Sequence, residues 1–417
     1  MATASTGRIG TLDFVRGVAV MGILLLNIVS FGMPIAAYVN PLAYGGADGI
    51  DLAVYLTNFV LFDGKMRGLF SFLFGASMLL VLDRAAAAGL DPVAIHTRRM
   101  LVLFCVGIAH LLLIWRGDIL HHYAIVGMIA VLFRRASVAR LVGWGIALIV
   151  LQTLNIGSLV LVIASATHDV AGNDPKAAAS GAQFLAEMAH GFGTPSPAAE
   201  LALYRGGYAD VVAGRFATSW STPMWSLLQV GLETLGYMLF GMAAFRSGLL
   251  TGDWLRVRYV RWLAISLTIG LTGYTLLAID MVRHGFALQT MVRDWLMLTT
   301  PLRPFMVVGW ACLLNLTMRP GGWLTGRIAA AGRMAFTNYL MTSILCSTFF
   351  NGYGLGMFGH LSRAGLYFVV AAMWALILFW SRPWLERFRF GPFEWAWRSL
   401  ARWEWQPMRV EPTATTR

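Results

Sequence analysis

The segment RGDILHHYAIVG, Arg116 to Gly127, places an acid, two adjacent histidines and a tyrosine between two apolar runs. On a helix, Asp118, His121 and His122 stand at i, i+3 and i+4 and share one face. His110 falls shortly before the end of the preceding run and can face the same hairpin. A carboxylate beside a histidine fixes its tautomer and raises its basicity. An imidazole whose ordinary pKa is about 6.5 exchanges protons at neutral pH. The chemistry these residue types suit is general base catalysis on a hydroxyl or an amine. They also suit a plainer role, with Asp118 capping a new helix and the histidines at headgroup level. A metal is not expected, because the chain has no H-E-x-x-H pattern.

Other ionisable residues fall inside apolar runs, where charge is costly and usually has a purpose. Glu233 lies deep in LQVGLETLGYMLFGM and must find a partner or stay protonated. Arg303 stands between Pro301 and Pro304 in TTPLRPFMVVG, so a broken helix is expected there, with Glu233 or Asp118 as its partner. Asp13 and Arg16, three residues apart in LDFVRG, open the first run. They either anchor that helix at the interface or, through Arg16 and the helix N-terminus, help hold an anionic ligand. Asn27 within the first run and Asn338 in AGRMAFTNYL can bond another helix or a substrate. Arg333 opens the latter segment as an anchor or as a second cation for the same ligand.

The elements that position these groups follow from composition. The 417 residues are 58% hydrophobic and only 12% charged, with a net charge of +12. That is too little polar surface for a soluble globule and reads as an all-α, polytopic membrane protein. About ten spans of membrane length are expected, near 13–33, 66–84, 98–115, 118–134, 140–166, 224–246, 260–280, 295–317, 333–351 and 363–382. The piece 51–62 is too short to cross and reads as an interfacial or re-entrant helix. Arginines gather after every second span, at Arg84–Arg99, Arg134–Arg140, Arg246–Arg261, Arg319–Arg333 and Arg382–Arg402, which places both termini in the cytoplasm. The outer side carries Asp48, Asp51, Asp169, Asp174, Glu187, Glu200 and Asp210, and a long loop with a short helix expected over 181–190. The organisation expected is a five-helix half (1–166), this extracytoplasmic loop (167–223), a second five-helix half (224–390) and an amphipathic tail (391–417). Trp395, Trp397, Trp403 and Trp405 suit that tail to the inner leaflet.

The basic balance does not imply nucleic acid, since the arginines track span ends and no zinc-finger spacing or basic arm occurs. Cys105, Cys312 and Cys346 lie apart inside apolar runs, which argues against a disulfide framework. The N-terminus lacks a small-residue cleavage pattern, so the first span is expected to remain as an anchor. FLFGAS (Phe72–Ser77) and MLFGMA (Met238–Ala243) echo one another, as a parallel repeat or as ordinary small-residue helix packing. No G-x-S-x-G elbow, P-loop or H-x-x-x-x-D acyltransferase box is present.

Across roughly residues 8–403, RIGTLDFVRGVAVMGILLLNI, LFSFLFGASM, GDILHHYAIVG, LETLGYMLFGMAAFRSG, AGRMAFTNYLMTSIL and FRFGPFEWAWRSL resemble the YeiB-like family of bacterial inner-membrane proteins. Gly391, Pro392, Glu394, Trp397 and Arg398 carry the last of these motifs. Through Leu12, Asp13, Arg16 and Gly17 the chain is also similar to a wider group of transmembrane acyltransferases, which includes the lysosomal heparan-sulfate acetyltransferase and bacterial sugar O-acyltransferases. That resemblance implies acyl-CoA entering from the cytoplasm and a histidine on the far side assisting transfer. The chain departs from the group in two places: Asn27 stands where sugar acyltransferases often have a histidine, and 34–65 contains no histidine. His110, His121 or His122 would then supply the base.

Two functions follow as expectations. One is an acyltransferase, with His121, Asp118, His110 and His122 catalytic, Asp13, Arg16 and Arg333 at the acyl-CoA, and Asn27, Glu233, Arg303 and Asn338 at the acceptor. The other is a small-molecule transporter with protons coupled through Glu233. No tightly bound cofactor is expected, acyl-CoA being a co-substrate. The expected partners are membrane lipid and a small-molecule or sugar acceptor, with no nucleic acid and with a homodimer left open.

Overall fold

The structure is a computed structural model that describes residues 2–193 and 197–410, with side chains for 10–188 and 197–410. Helix α1 (Ala2–Gly32) carries the first apolar run, and a single turn, α2 (Ala36–Val39), follows it. Next come α3 (Gly49–Leu61) and α4 (Lys65–Ala87), then α5 (Pro92–Ala109), which passes into a π-helical turn at His110–Ile114. Helix α6 (Leu120–Ala130) precedes the long α7 (Val138–Ala171). The outer cap holds α8 (Pro175–Gly193), α9 (Pro197–Tyr204) and α10 (Tyr208–Ser219). The second half runs through α11 (Thr222–Arg246), α12 (Arg256–Arg283), the short α13 (Leu288–Thr290), a π-helix at Met291–Leu298 and α14 (Thr299–Thr317). It ends with α15 (Trp323–Arg333), α16 (Ala335–Phe350), α17 (Leu366–Arg387) and α18 (Pro392–Arg402).

Among the described residues, 8 helical stretches are long and apolar enough to cross a membrane. The chain is an all-α, polytopic membrane protein. Two of the expected spans are shorter than the sequence suggests. Over 118–134 the helix begins only at Leu120, because Trp115–Ile119 is non-helical. Over 333–351 it runs from Ala335 to Phe350, set off from α15 by a break at Met334. Helices of this length rise about 17–24 Å, less than the ~30 Å hydrocarbon layer. Both are enclosed by longer neighbours: α6 packs on α5 and α11, and α16 on α1.

The bundle has a buried centre and a lipid-facing rim. The most apolar window of α1 is 72% buried and that of α11 67%, against 17% for α7 and for α17. The rim helices show lipid a row of large apolar side chains, such as Leu151, Leu154 and Leu161 on α7. Helices α4 and α11 cross at the echoed motifs. A methyl group on Gly75 would overlap the carbonyl of Met238, and one on Gly241 would overlap that of Phe72. FLFGAS and MLFGMA are therefore the two halves of one close crossing, where two glycines let the backbones touch.

The helix around Arg303 is not broken as the two prolines suggest. Helix α14 continues through Pro301 and Pro304. The irregularity comes earlier, in the wider π-helical turns of Met291–Leu298. The Thr299 and Thr300 hydroxyls donate to the carbonyls of Trp295 (2.7 Å) and Leu296 (2.8 Å) there. The break that admits Arg303 lies opposite, in the turn between α3 and α4. Gly64 has φ +69°, and a side chain on it would run into the Arg303 guanidinium. The piece 51–62 is thus the α3 arm of a bent apolar stretch, Gly49–Ala87.

The outer end is tied down by loops. Gly352 N–H donates to the carbonyl of Tyr204 at 2.8 Å, and Gly359 N–H to that of Gly32 at 2.8 Å. The buried Arg363 donates to the carbonyls of Ala37 (2.9 Å) and Tyr44 (3.1 Å). The helix expected over 181–190 belongs to the longer α8.

Candidate functional site

The turn that joins α5 to α6 is built around one carboxylate. The π-helical turn at His110–Ile114 widens the end of α5, and Trp115 leaves it in an extended conformation (φ −156°, ψ 128°). This brings Asp118 back beside His110. One carboxylate oxygen of Asp118 faces His110 Nδ1 at 2.8 Å and the other faces His121 Nδ1 at 2.7 Å. The second oxygen also accepts from the His121 backbone N–H at 3.1 Å, so Asp118 caps α6 and holds both rings together. The three side chains are buried, and among the described residues the Nε2 atoms of His110 and His121 have no hydrogen-bond partner. An ionised Asp118 places both protons on Nδ1 and leaves both Nε2 lone pairs free to accept a proton. Gly107 makes this approach feasible, since a methyl group there would overlap the His121 backbone.

His122 does not share this face. The helix starts after Asp118, and consecutive residues on it diverge by about 100°. His122 Nε2 lies 2.9 Å from Thr234 Oγ1 and its Nδ1 lies 3.2 Å from Ser226 Oγ, so both nitrogens tie α6 to α11.

From the opposite, arginine-rich face a cavity of about 390 Å³ enters the bundle between α1, α4, α5, α6, α16 and α18. Arg16, Arg84, Arg99, Arg333, Arg389 and Arg398 line its mouth, with Asp13 and Glu394 as the acids among them. Its walls are apolar, and its deep end carries Ile119, Tyr123 and Tyr339. The Tyr339 ring lies 5.3 Å from the His110 ring, and His110, Asp118 and His121 are not themselves among the residues that line the cavity. Arg16 is fixed by Asp13 (2.8 Å) and by Ser77 on α4 (2.7 Å). Arg333 is exposed and donates to the Arg389 carbonyl at 3.4 Å.

Helix α18 closes one side of this mouth. Glu394 accepts from the backbone N–H groups of Phe336 (2.7 Å) and Thr337 (3.1 Å) and from the Thr337 hydroxyl, which caps the start of α16. Burial pushes the Glu394 carboxyl above its usual range, against the pull of the Thr337 bonds. Trp397 donates to the Arg99 carbonyl at 2.9 Å, and the Arg99 guanidinium sits 3.9 Å from its ring centre. The tail's other face keeps Leu400, Trp403 and Trp405 exposed, as an interfacial helix would.

A second polar cluster lies between α4, α11 and α14. The fully buried Glu233 is bonded to Arg67 and to Arg303, and accepts from Tyr237 at 3.2 Å. Arg67 also donates to Thr234 at 3.2 Å. Glu233 is therefore the partner of Arg303, and Asp118 is not. Of the remaining expected site residues, Asn338 donates to the Ala331 carbonyl and to Ser381 (both 3.1 Å) and accepts from Trp380 (3.0 Å). It joins α16 to α17. Asn27 is half-buried on α1.

Several residues of the two clusters escaped the sequence reading. Arg67 stands beside Lys65 in DGKMRG, two cations in an apolar run, and that was the available signal. Arg84, Arg99, Arg389 and Arg398 read as span-end charges, and nothing in their spacing shows that they converge on one mouth. Among the described residues no group of three or more His, Cys, Asp or Glu side chains is arranged to hold a metal ion.

The fold and these two clusters define a polytopic membrane protein with an arginine-mouthed cavity and an aspartate-bridged histidine pair beside its lining residue Tyr339. Comparison with known proteins gives the family. The chain is similar to the uncharacterized protein YeiB of Escherichia coli, 34% identical over 94% of this chain and 95% of that one. It is also similar to the uncharacterized protein YxaH of Bacillus subtilis, 30% identical over 97% of each. Residues 244–404 match the family model described as a protein of unknown function, DUF418. The chain belongs to the YeiB-like family. No solved structure matches it.

Proposed function

We propose that the protein is a membrane-embedded acyltransferase that moves an acyl group from acyl-CoA to a hydroxyl or amine. The observation that carries this reading is the cavity itself, which runs from six arginines at one face along apolar walls to Ile119 and Tyr339, the latter with its ring 5.3 Å from that of His110. Arginine forks suit phosphates, and a mouth of this charge would hold the nucleotide end of the donor. A cavity of this size falls in the range that encloses small ligands and suits the acyl and pantetheine arm.

The transfer follows from the free Nε2 atoms. His121, or His110, takes the proton of the acceptor hydroxyl or amine as that atom bonds to the thioester carbonyl carbon. The resulting tetrahedral intermediate collapses by breaking the carbon–sulfur bond. The acyl group stays on the acceptor, and the CoA sulfur leaves with the electron pair and receives the proton back from the imidazolium. Asp118 stabilises that imidazolium. Direct transfer needs no cysteine nucleophile, and Cys312 and Cys346 are buried in apolar clusters. In a bacterial cell membrane the arginine-rich face would be cytoplasmic, so the donor would arrive from inside.

The transport reading needs a carboxylate free to take a proton, and Glu233 is already shared by two guanidiniums and a phenol. The test is calorimetric titration of acyl-CoA into purified protein in detergent. Micromolar binding, weakened at least tenfold by Arg16→Ala and kept by His121→Ala, supports the acyltransferase. Absence of binding at millimolar concentration to a well-folded sample argues against it.

A further inference from the structure

Most of the buried side-chain nitrogens that lack a hydrogen-bond partner among the described residues belong to the histidine turn, to the start of α6 or to α10, which packs on that turn. They are Nε, Nη1 and Nη2 of Arg215, Nε1 of Trp115, Nε of Arg116, and the Nε2 atoms of His110 and His121. Arg215 stands out among them. It is 1% exposed, and all three of its guanidinium nitrogens are without an acceptor.

Its position is set by α10. The buried residues of that helix are Val211, Arg215 and Ser219, spaced by four, so Arg215 occupies the middle of the single inward stripe. That stripe packs on the π-helical turn His110–Ile114, and the Tyr208 hydroxyl donates to the Leu113 carbonyl at 3.1 Å. The Tyr204 ring lies between two arginines, 5.3 Å from the Arg116 guanidinium and 5.9 Å from that of Arg215. Glu200, a carboxylate of the cap, is already committed. It pairs with Arg116 and accepts from the Ile35 backbone N–H at 2.7 Å. Among the described residues no anion pairs with the buried charge of Arg215, a state that folding tolerates poorly unless something else supplies the charge.

We infer that Arg215 is the anchor of an oxyanion-binding site on the outer side of the histidine pair, which takes a carboxylate or phosphate group. The planar fork binds such groups through two parallel bonds. On the acyltransferase reading, on which this point rests, the anion belongs to the acceptor, and Arg215 holds the acceptor with its hydroxyl or amine toward His110 and His121. The anion site itself stands independently of that reading.

Inorganic phosphate is the probe. It is titrated into the purified full chain in detergent by calorimetry, for wild type, Arg215→Gln, Arg215→Lys and Arg16→Ala. Wild type is expected to bind phosphate, Arg215→Gln to lose at least tenfold in affinity, and Arg215→Lys to recover part of that loss. Arg16→Ala, which alters the opposite mouth, should leave the Arg215-dependent binding in place. Without anion, Arg215→Gln should melt no lower than wild type, since it removes a charge that lacks a partner. Equal phosphate affinity in wild type and Arg215→Gln, or no phosphate binding by wild type, overturns the inference. Repeating the titration in phosphatidylcholine nanodiscs with and without phosphatidylglycerol identifies the source. Competition by the anionic lipid assigns the oxyanion to a headgroup, and its absence assigns it to a soluble acceptor. Acyl-CoA binding on the same samples separates the two claims. Arg215-dependent phosphate binding without acyl-CoA binding keeps the anion site and removes the acyltransferase, and the reverse pattern does the opposite.

Discussion

Two buried polar clusters lie in adjacent parts of this bundle, and they differ in what they leave unsatisfied. At Glu233 each carboxylate oxygen meets a guanidinium, a phenol adds a further donor, and the bare Nε of Arg303 is a donor with no lone pair to take a proton. At Asp118 the carboxylate is equally well served, but the two histidines that serve it keep their outer nitrogens bare. A buried polar group with every partner in place holds helices together. One with a free lone pair stores a capacity to react, and folding pays for that capacity elsewhere. The depth of a charge in the membrane therefore says little about its role, while its remaining valence says much.

The contrast can be broken from either side. Glu233→Gln leaves Arg67 and Arg303 buried without a counter-charge and should cost about 3–5 kcal/mol, read as a large fall in the thermal midpoint in detergent. An unchanged midpoint would mean that the cluster does not hold the helices. His121→Ala should do the reverse. Its thiol release from acyl-CoA should fall about 10²–10⁴-fold, while the midpoint falls less than in Glu233→Gln, because His110 and the backbone N–H of residue 121 still serve Asp118. Gly107→Ala pushes a methyl group into the His121 backbone. It should cost about 1–3 kcal/mol as overpacking and slow transfer with it, so a variant with wild-type turnover would show that the turn tolerates displacement. The smallest effect is expected at the mouth. Glu394→Gln weakens the cap on α16 by about 1 kcal/mol, seen as faster proteolysis of the tail with the bundle intact.

Much of this architecture was legible in the chain. Apolar runs of membrane length between arginine clusters specify the long helices, because a spanning segment must be apolar throughout and satisfy its own backbone. Asp118 and His121 announce a pair through their spacing. What spacing cannot show is a change of helix type. The π-helical turn brings His110 to Asp118 and the late start of α6 turns His122 away, and both depend on how α5 packs. Pro301 and Pro304 pointed to a break at Arg303, yet the backbone adjusts one turn earlier and in the facing α3–α4 turn. The convergence of Arg16, Arg99 and Arg398 on one mouth is a tertiary fact, since α1, α5 and α18 lie far apart in sequence. Arg215 sat in a loop read only as a cap.

The central claim is that the Asp118-bridged histidines act on a donor held in the arginine-mouthed cavity. The most direct measurement is release of free thiol from acyl-CoA by protein reconstituted in vesicles, compared for wild type and His121→Ala, with acyl-CoA binding measured in parallel. The account predicts thiol release by wild type that His121→Ala reduces at least a hundredfold while donor affinity is kept. Equal release by both proteins, or a loss of donor binding that accounts for the whole effect, would contradict it.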